Sequence, residues 1–226
     1  VIFHDREEAG RLLAAKLEAY RDDPSGIILA LPRGGVAIGY ELSLALHLPL
    51  DIFITRKLGA PDNPEYAIGA LSETGAVYLN PDAVEAFHFS HTEFDALVGA
   101  AREEISRRQR LYRNGLPLAE VAGRTVILVD DGMATGATFF ATFEAISELS
   151  PRRLVAAIPV APRENVSSLR KRVNDLVILA TPEPFIAVGH HYHSFTQVDD
   201  AQVLDYLNAA KQSRAASLSP QGGETG

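Results

Sequence analysis

Four short, mostly apolar runs without alternation, at residues 27–31, 126–129, 154–159 and 175–180, divide a chain whose other apolar positions recur at helical spacing. Runs of this kind predict strands covered on both faces of a parallel sheet. Residues 51–55 predict a further strand. Between the runs lie helical patterns. Asp5 is placed to cap a helix reaching about residue 20, with Leu12, Leu13, Leu17 and Tyr20 near the helical period. Further helices are predicted over 36–46, 92–112, 138–149, 163–173 and 199–211, and a turn over 22–26. Residues 67–71 and 76–79 predict a hairpin across 72–75. The alternation predicts one α/β domain over residues 1–211, a central, mostly parallel sheet flanked by helices. Residues 212–226 are small and polar and predict a disordered tail or linker.

The strand at 126–129 runs into VILVDDGMATGAT. Two carboxylates, Asp130 and Asp131, are thereby placed at a strand's carboxyl end, where open α/β sheets bind ligands. Carboxylates accept hydrogen bonds, and vicinal sugar hydroxyls donate them. Residues Ala134, Thr135, Gly136, Ala137 and Thr138 then cross into a helix whose unpaired N–H groups favour a phosphate. Together these residues suit a ribose beside its 5′-phosphate. A second constellation, Pro32-Arg33-Gly34-Gly35, lies between a strand and a helix and can turn backbone N–H groups toward an anion. It is neither a P-loop nor GxGxxG, which excludes a dinucleotide-binding reading. Arg56 and Lys57 follow the second predicted strand, where two adjacent cations predict an anion.

These segments resemble the type I phosphoribosyltransferases. VILVDDGMATGAT is similar to their phosphoribosyl-pyrophosphate (PRPP) signature, departing at Gly132, where many members carry an aliphatic residue. LPRGGVAIG resembles the pyrophosphate loop, TRKLGAPDNPEYAIGAL the start of the mobile catalytic loop, and PFIAVGHHYHSF the C-terminal hood over the nucleobase. The group most similar is the bacterial predicted phosphoribosyltransferases of unestablished acceptor, and the resemblance covers most of residues 1–210. It implies the type I fold, with a hood at about 182–198 and a mobile loop at about 58–80.

The resemblance also implies roles. Asp130 and Asp131 would bind the ribose hydroxyls and PRPP-bound Mg²⁺; Arg33, Gly34, Gly35, Arg56 and Lys57 would bind pyrophosphate, with Lys57 counted among the catalytic residues. Enzymes acting on 6-oxopurines carry an Asp where this chain has Ala134, so the motif looks more like that of adenine phosphoribosyltransferases, as does RKxG at 56–59. In those a loop Glu assists; Glu65 is the first candidate here and Glu73 the second. Phe185, Val188 and Tyr192 are the hood residues expected at the base, and Ser194 stands where related hoods carry an Asp. The implied activity is Mg²⁺-dependent transfer of the 5-phosphoribosyl group from PRPP to a nitrogenous, nucleobase-like acceptor, as in purine salvage, by a homo-oligomer. A noncatalytic PRPP or nucleotide sensor on the same scaffold is the alternative.

Composition narrows the partners. The net charge is −8, which argues against nonspecific nucleic-acid binding. No apolar run approaches the roughly 18 residues of a membrane span. The opening VIFHDREEAG lacks the basic-then-apolar layout of a secretion signal, and the absence of cysteine excludes thiol chemistry and fits the cytoplasm. His190, His191 and His193 share no HExxH or Cys spacing and are read as structural or base-edge residues rather than a metal site. The RRQR run at 107–110 is read as a solvated helix face.

Overall fold

The computed structural model describes residues 3–60, 63–80 and 90–218. A helix, α1 (Arg6–Lys16), is followed by β1 (Gly26–Ala30), α2 (Gly34–Leu46) and β2 (Leu50–Ile52). The small strands β3 (Thr55–Ala60), β4 (Asn63–Ser72) and β5 (Val77–Leu79) come next, then α3 (His91–Arg113) and β6 (Thr125–Val129). The chain continues through α4 (Ala137–Glu148), β7 (Arg153–Val160), α5 (Arg163–Arg170), β8 (Asp175–Ala180) and α6 (Asp200–Leu218).

The main sheet is parallel throughout, in the order β2-β1-β6-β7-β8. Its central strands are apolar on both faces because both faces are covered. Ile28, Ala30, Ile127, Val129, Val155 and Ala157 pack into one core with α1, α2 and α6. The residues between them, Ile27, Leu29, Val126, Leu128, Leu154 and Ala156, pack into a second core with Phe139, Phe143 and Ile146 of α4. Ala30 lies opposite Val129 in the β1–β6 register. The loops leaving these two strands therefore start side by side, joined by Leu31 N–H to Val129 O at 2.9 Å.

Helix ends follow local chemistry. Asp5 accepts from Glu8 N–H at 2.8 Å and caps α1, as its sequence position predicts. The helix stops at Lys16, and the rest of the predicted stretch is a separate helical turn, Glu18–Tyr20. Ser90 and Glu93 form a reciprocal capping box at α3.

Two expectations change. The stretch about 58–80, expected as a loop, is largely sheet: β3, β4 and β5 form an antiparallel three-stranded unit. The predicted hairpin is present as β4–β5, with Gly69 opposite Leu79. β3 escaped prediction because Arg56 and Lys57 are both exposed, which breaks alternation, and because its pairing shifts around Gly59. Pro61 and Asp62, within the expected lid, lie outside the described residues, as does the side chain of Glu65. The second change is at the C-terminus. α6 continues to Leu218 where a tail was expected from 212, because Lys211, Gln212, Arg214, Ala215 and Ala216 are good helix formers. Residues 219–226 lie outside the described residues. No helix among the described residues is long and apolar enough to cross a membrane.

Candidate active site

The β1 and β6 loops bring two separate motifs into contact. Asp130 and Asp131 follow β6, and Asp131 N–H donates to Asp130 Oδ1 at 2.8 Å. A β-carbon on Gly35 would lie 2.9 Å from Asp130 Cα and 3.0 Å from Val129 O; one on Gly34 would lie 1.9 Å from Asp131 Oδ2. Only glycine permits this approach, so the PRGG loop and the acid pair form one structure. The Pro32–Arg33 peptide is cis. The expected anion nest is partly satisfied by the loop itself, since Gly35 N–H donates to Leu31 O and Val36 N–H to Arg33 O.

The acids differ electrostatically. Burial, then the neighbouring Asp131 carboxylate, pushes Asp130 well above the usual carboxylate range. Burial also raises Asp131, but the Arg6 guanidinium opposes the rise, with Nε 2.8 Å from Asp131 Oδ2. Asp130 lines a cavity of about 140 Å³ together with Gly132, Thr135, Gly136 and Thr138, while the Asp131 carboxylate meets Arg6.

The cavity ends at α4, whose N-cap, Gly136, has φ +82° and supplies no side-chain hydrogen bond. A β-carbon there would lie 2.8 Å from the Phe140 ring, so both conformation and space call for glycine. Ala134 and Thr135 are exposed; Asn165 on α5 holds Ala134 O at 2.9 Å. Thr142 fixes the helix by donating to Thr138 O and meeting Thr55 Oγ1 of β3 at 2.7 Å. A larger cavity, about 490 Å³, opens at the opposite, amino end of β1, beside His47 and Arg214, and contains none of these groups.

The hood approaches the acids from the C-terminal side. A β-carbon on Gly132 would lie 2.4 Å from Val188 Cγ1, so glycine in this position makes room for a hood side chain. Tyr192 was expected to stack on a base. Instead it is buried, packs against Phe3 and Phe195, and donates its hydroxyl to Asp131 O at 2.6 Å. Phe185 is half-buried with its ring 5.3 Å from that of His191, whose Nε2 is buried without a hydrogen-bond partner. His190, His193 and Ser194 are exposed.

The cations are distributed differently from the sequence expectation. Arg56 and Lys57 lie on β3 of the small sheet rather than at the end of β2, and both are exposed. Arg33 points toward Asp200 at the start of α6, at 3.8 Å. Glu73 is not a solvated loop carboxylate: its side chain is buried against Arg113. The cation that does meet the acids, Arg6, was missed. Its signal was present, because Arg6 shares the i, i+3, i+4, i+7 stripe of α1 with buried Ala9, Gly10 and Leu13. A cation on an apolar stripe needs a buried acid.

Glycine contacts give a direct stability test. Gly34→Ala should force the Asp131 carboxylate off Arg6 and destabilise the fold by about 3 kcal/mol. Gly99→Ala, in the interior of α3 where a β-carbon meets nothing within 4 Å, should stabilise by about 0.5–1 kcal/mol. Urea denaturation checks both; equal effects would contradict the close approach at Gly34.

Comparison with known proteins gives a consistent set of likenesses. A family model described as "Phosphoribosyl transferase domain" matches residues 4–192. A Mycobacterium tuberculosis protein named "Putative phosphoribosyl transferase Rv0571c" is 38% identical over 209 residues, covering 92% of this chain and 47% of its own length. The chain thus spans about half the length of the curated relatives it matches. The crystal structure of TT1426 from Thermus thermophilus is similar with TM-score 0.75 at 38% identity, covering 92% of this chain and 98% of that one.

Proposed function

We propose a function from one premise: this chain belongs to the phosphoribosyl transferase domain family. On our reading it transfers the 5-phosphoribosyl group of PRPP to a nitrogenous, nucleobase-like acceptor and releases pyrophosphate. The observation that carries this reading is the packing of Gly34 and Gly35 directly against Asp130 and Asp131, which puts an anion loop and a sugar-binding acid pair within one another's reach.

In the reaction, the bond from ribose C1 to a pyrophosphate oxygen breaks and a bond from C1 to the acceptor nitrogen forms, through an oxocarbenium-like transition state. Asp130 and Asp131 orient the ring hydroxyls. The loop from Ala134 to Thr138 and the N-terminus of α4 take the 5′-phosphate. Gly34 and Gly35, with Arg33, Arg56 and Lys57, take the departing pyrophosphate. Glu65 accepts the proton leaving the acceptor nitrogen, and Phe185 and Val188 bound the acceptor side. The donor set, two adjacent carboxylates of which Asp130 lines the cavity, fits a hard cation carried in by PRPP. When bound, Mg²⁺ would neutralise pyrophosphate charge, held by Asp130 and Asp131.

Pyrophosphate release, measured with PRPP and a panel of purines, pyrimidines and small amines, tests the assignment. Release dependent on one acceptor class is expected; tight PRPP binding with no transfer to any acceptor would establish a sensor instead. Excess chelator is expected to abolish release, and full activity in chelator would contradict the role given to the cation.

A further inference from the structure

We propose that Arg6 is a positioning residue for the acid pair, holding Asp131 in place and tying it to the C-terminal segment that carries Tyr192, Phe195 and Thr196. The inference rests on the reading that this pair binds the sugar of PRPP. Arg6 does not line the cavity, and its side chain is only 8% exposed. Nε donates to Asp131 Oδ2 and Nη1 to Thr196 O, each at 2.8 Å. The guanidinium carbon sits 3.9 Å from the centroid of the Phe195 ring. The same segment grips Asp131 a second time, through the Tyr192 hydroxyl on its carbonyl oxygen, and Tyr192 and Phe195 stack with centroids 5.0 Å apart.

The chain just before Arg6 is joined to this segment as well. Phe3 N–H donates to His191 O, His193 N–H to Phe3 O and Ser194 N–H to His4 O, each at 2.8 Å. Arg6 therefore stands where the N-terminal segment, the hood and the strand end bearing the acids meet. Residues 192–196 reach Asp131 by two routes, directly through the Tyr192 hydroxyl on its carbonyl oxygen and indirectly through Arg6, which binds both Thr196 O and the Asp131 carboxylate. Seating of the acceptor under the hood is thereby coupled to the geometry of ribose recognition.

The test uses the full chain and ribose 5-phosphate as the probe. Affinity is measured calorimetrically for wild type, Arg6→Lys, Arg6→Gln, Phe195→Leu and the Arg6→Gln/Phe195→Leu double variant, with thermal unfolding alongside. Arg6→Gln is expected to weaken binding by about tenfold or more. Arg6→Lys should recover part of the loss, keeping the charge without the fork. Phe195→Leu should cost about threefold, in keeping with a cation–π contact. The double variant should lose less than the sum of the two single losses, because the ring lies against the guanidinium as well as Tyr192. A merely structural arginine would lower the melting temperature and leave affinity unchanged. Wild-type affinity in folded Arg6→Gln, or losses that add in the double variant, would overturn the proposal. Should Arg6→Gln not fold, unchanged affinity in Phe195→Leu and Arg6→Lys overturns it equally. If the wild-type protein binds neither ribose 5-phosphate nor PRPP, the functional reading itself falls, and the coupling with it.

Discussion

Asp130→Asn is expected to weaken PRPP binding by about 100-fold while leaving the protein at least as stable as the wild type at neutral pH. The first half follows from its place at the cavity wall. A carboxylate accepting a sugar hydroxyl makes a charge-assisted hydrogen bond of about 1.5–3 kcal/mol, and the upper part of that range is about 100-fold in affinity. The amide keeps the shape but turns one acceptor into a donor. The second half follows from electrostatics. Burial and Asp131 raise the Asp130 pKa, so the folded state binds a proton more readily than the unfolded one. This contribution to stability is fully present below the unfolded carboxylate value of about 4 and is lost as pH rises through the raised folded value. Asn carries no such loss. Urea denaturation should show the variant gaining on wild type between acid and neutral pH, while calorimetry shows PRPP affinity about 100-fold weaker. Asp131→Asn should differ, losing stability as well as binding, because it leaves buried Arg6 without its acid. The double Asn variant should bind no PRPP and be less stable than Asp130→Asn alone.

Arg113→Ala should give the largest loss of stability, about 3–5 kcal/mol, the usual cost of removing one partner from a buried ion pair. Arg113 lies at the end of α3, and its two terminal nitrogens meet the two oxygens of Glu73 at 2.6 Å each. It also donates to Ile52 O and Asp51, while Glu73 accepts from Ile54 N–H and Gln109. The side chains are 6% and 3% exposed. One ion pair thus joins α3, the edge of the main sheet and the turn between β4 and β5. For a chain of this length the loss corresponds to a fall in melting temperature of about 10 °C. Replacing both partners, as Arg113→Met with Glu73→Leu, should recover part of it, since neither member of the closest pair is left buried alone, although Asp51 loses its cation and Ile54 N–H its acceptor. A loss under about 1 kcal/mol in Arg113→Ala would reduce the pair to the standing of a surface contact.

The main sheet was legible because burial on both faces removes alternation, and the runs at 27–31 and 126–129 have that signature. The acid pair and the PRGG loop were legible as motifs, and adjacent strand ends explain why they meet. What could not be read was where long charged side chains turn. Arg33 has enough reach to leave its own loop for Asp200, and Glu73 abandons solvent for Arg113, choices set by partners distant in sequence. β3 was hidden by two exposed cations, and the helical end of α6 by a serine-bearing stretch that reads as linker by composition alone. Tyr192 looked like a stacking residue from its hood position, but Phe3 and Phe195, one of them nearly two hundred residues away, enclose it. Arg6 was readable in principle from the helical stripe it interrupts.

A crystal structure of the protein soaked with ribose 5-phosphate would show whether the acid pair holds the sugar. Ring hydroxyls are expected within hydrogen-bond distance of Asp130, with the phosphate held by the loop from Ala134 to Thr138 at the start of α4. Density for the compound elsewhere, with Asp130 touching none of it, would rule out sugar binding by these acids.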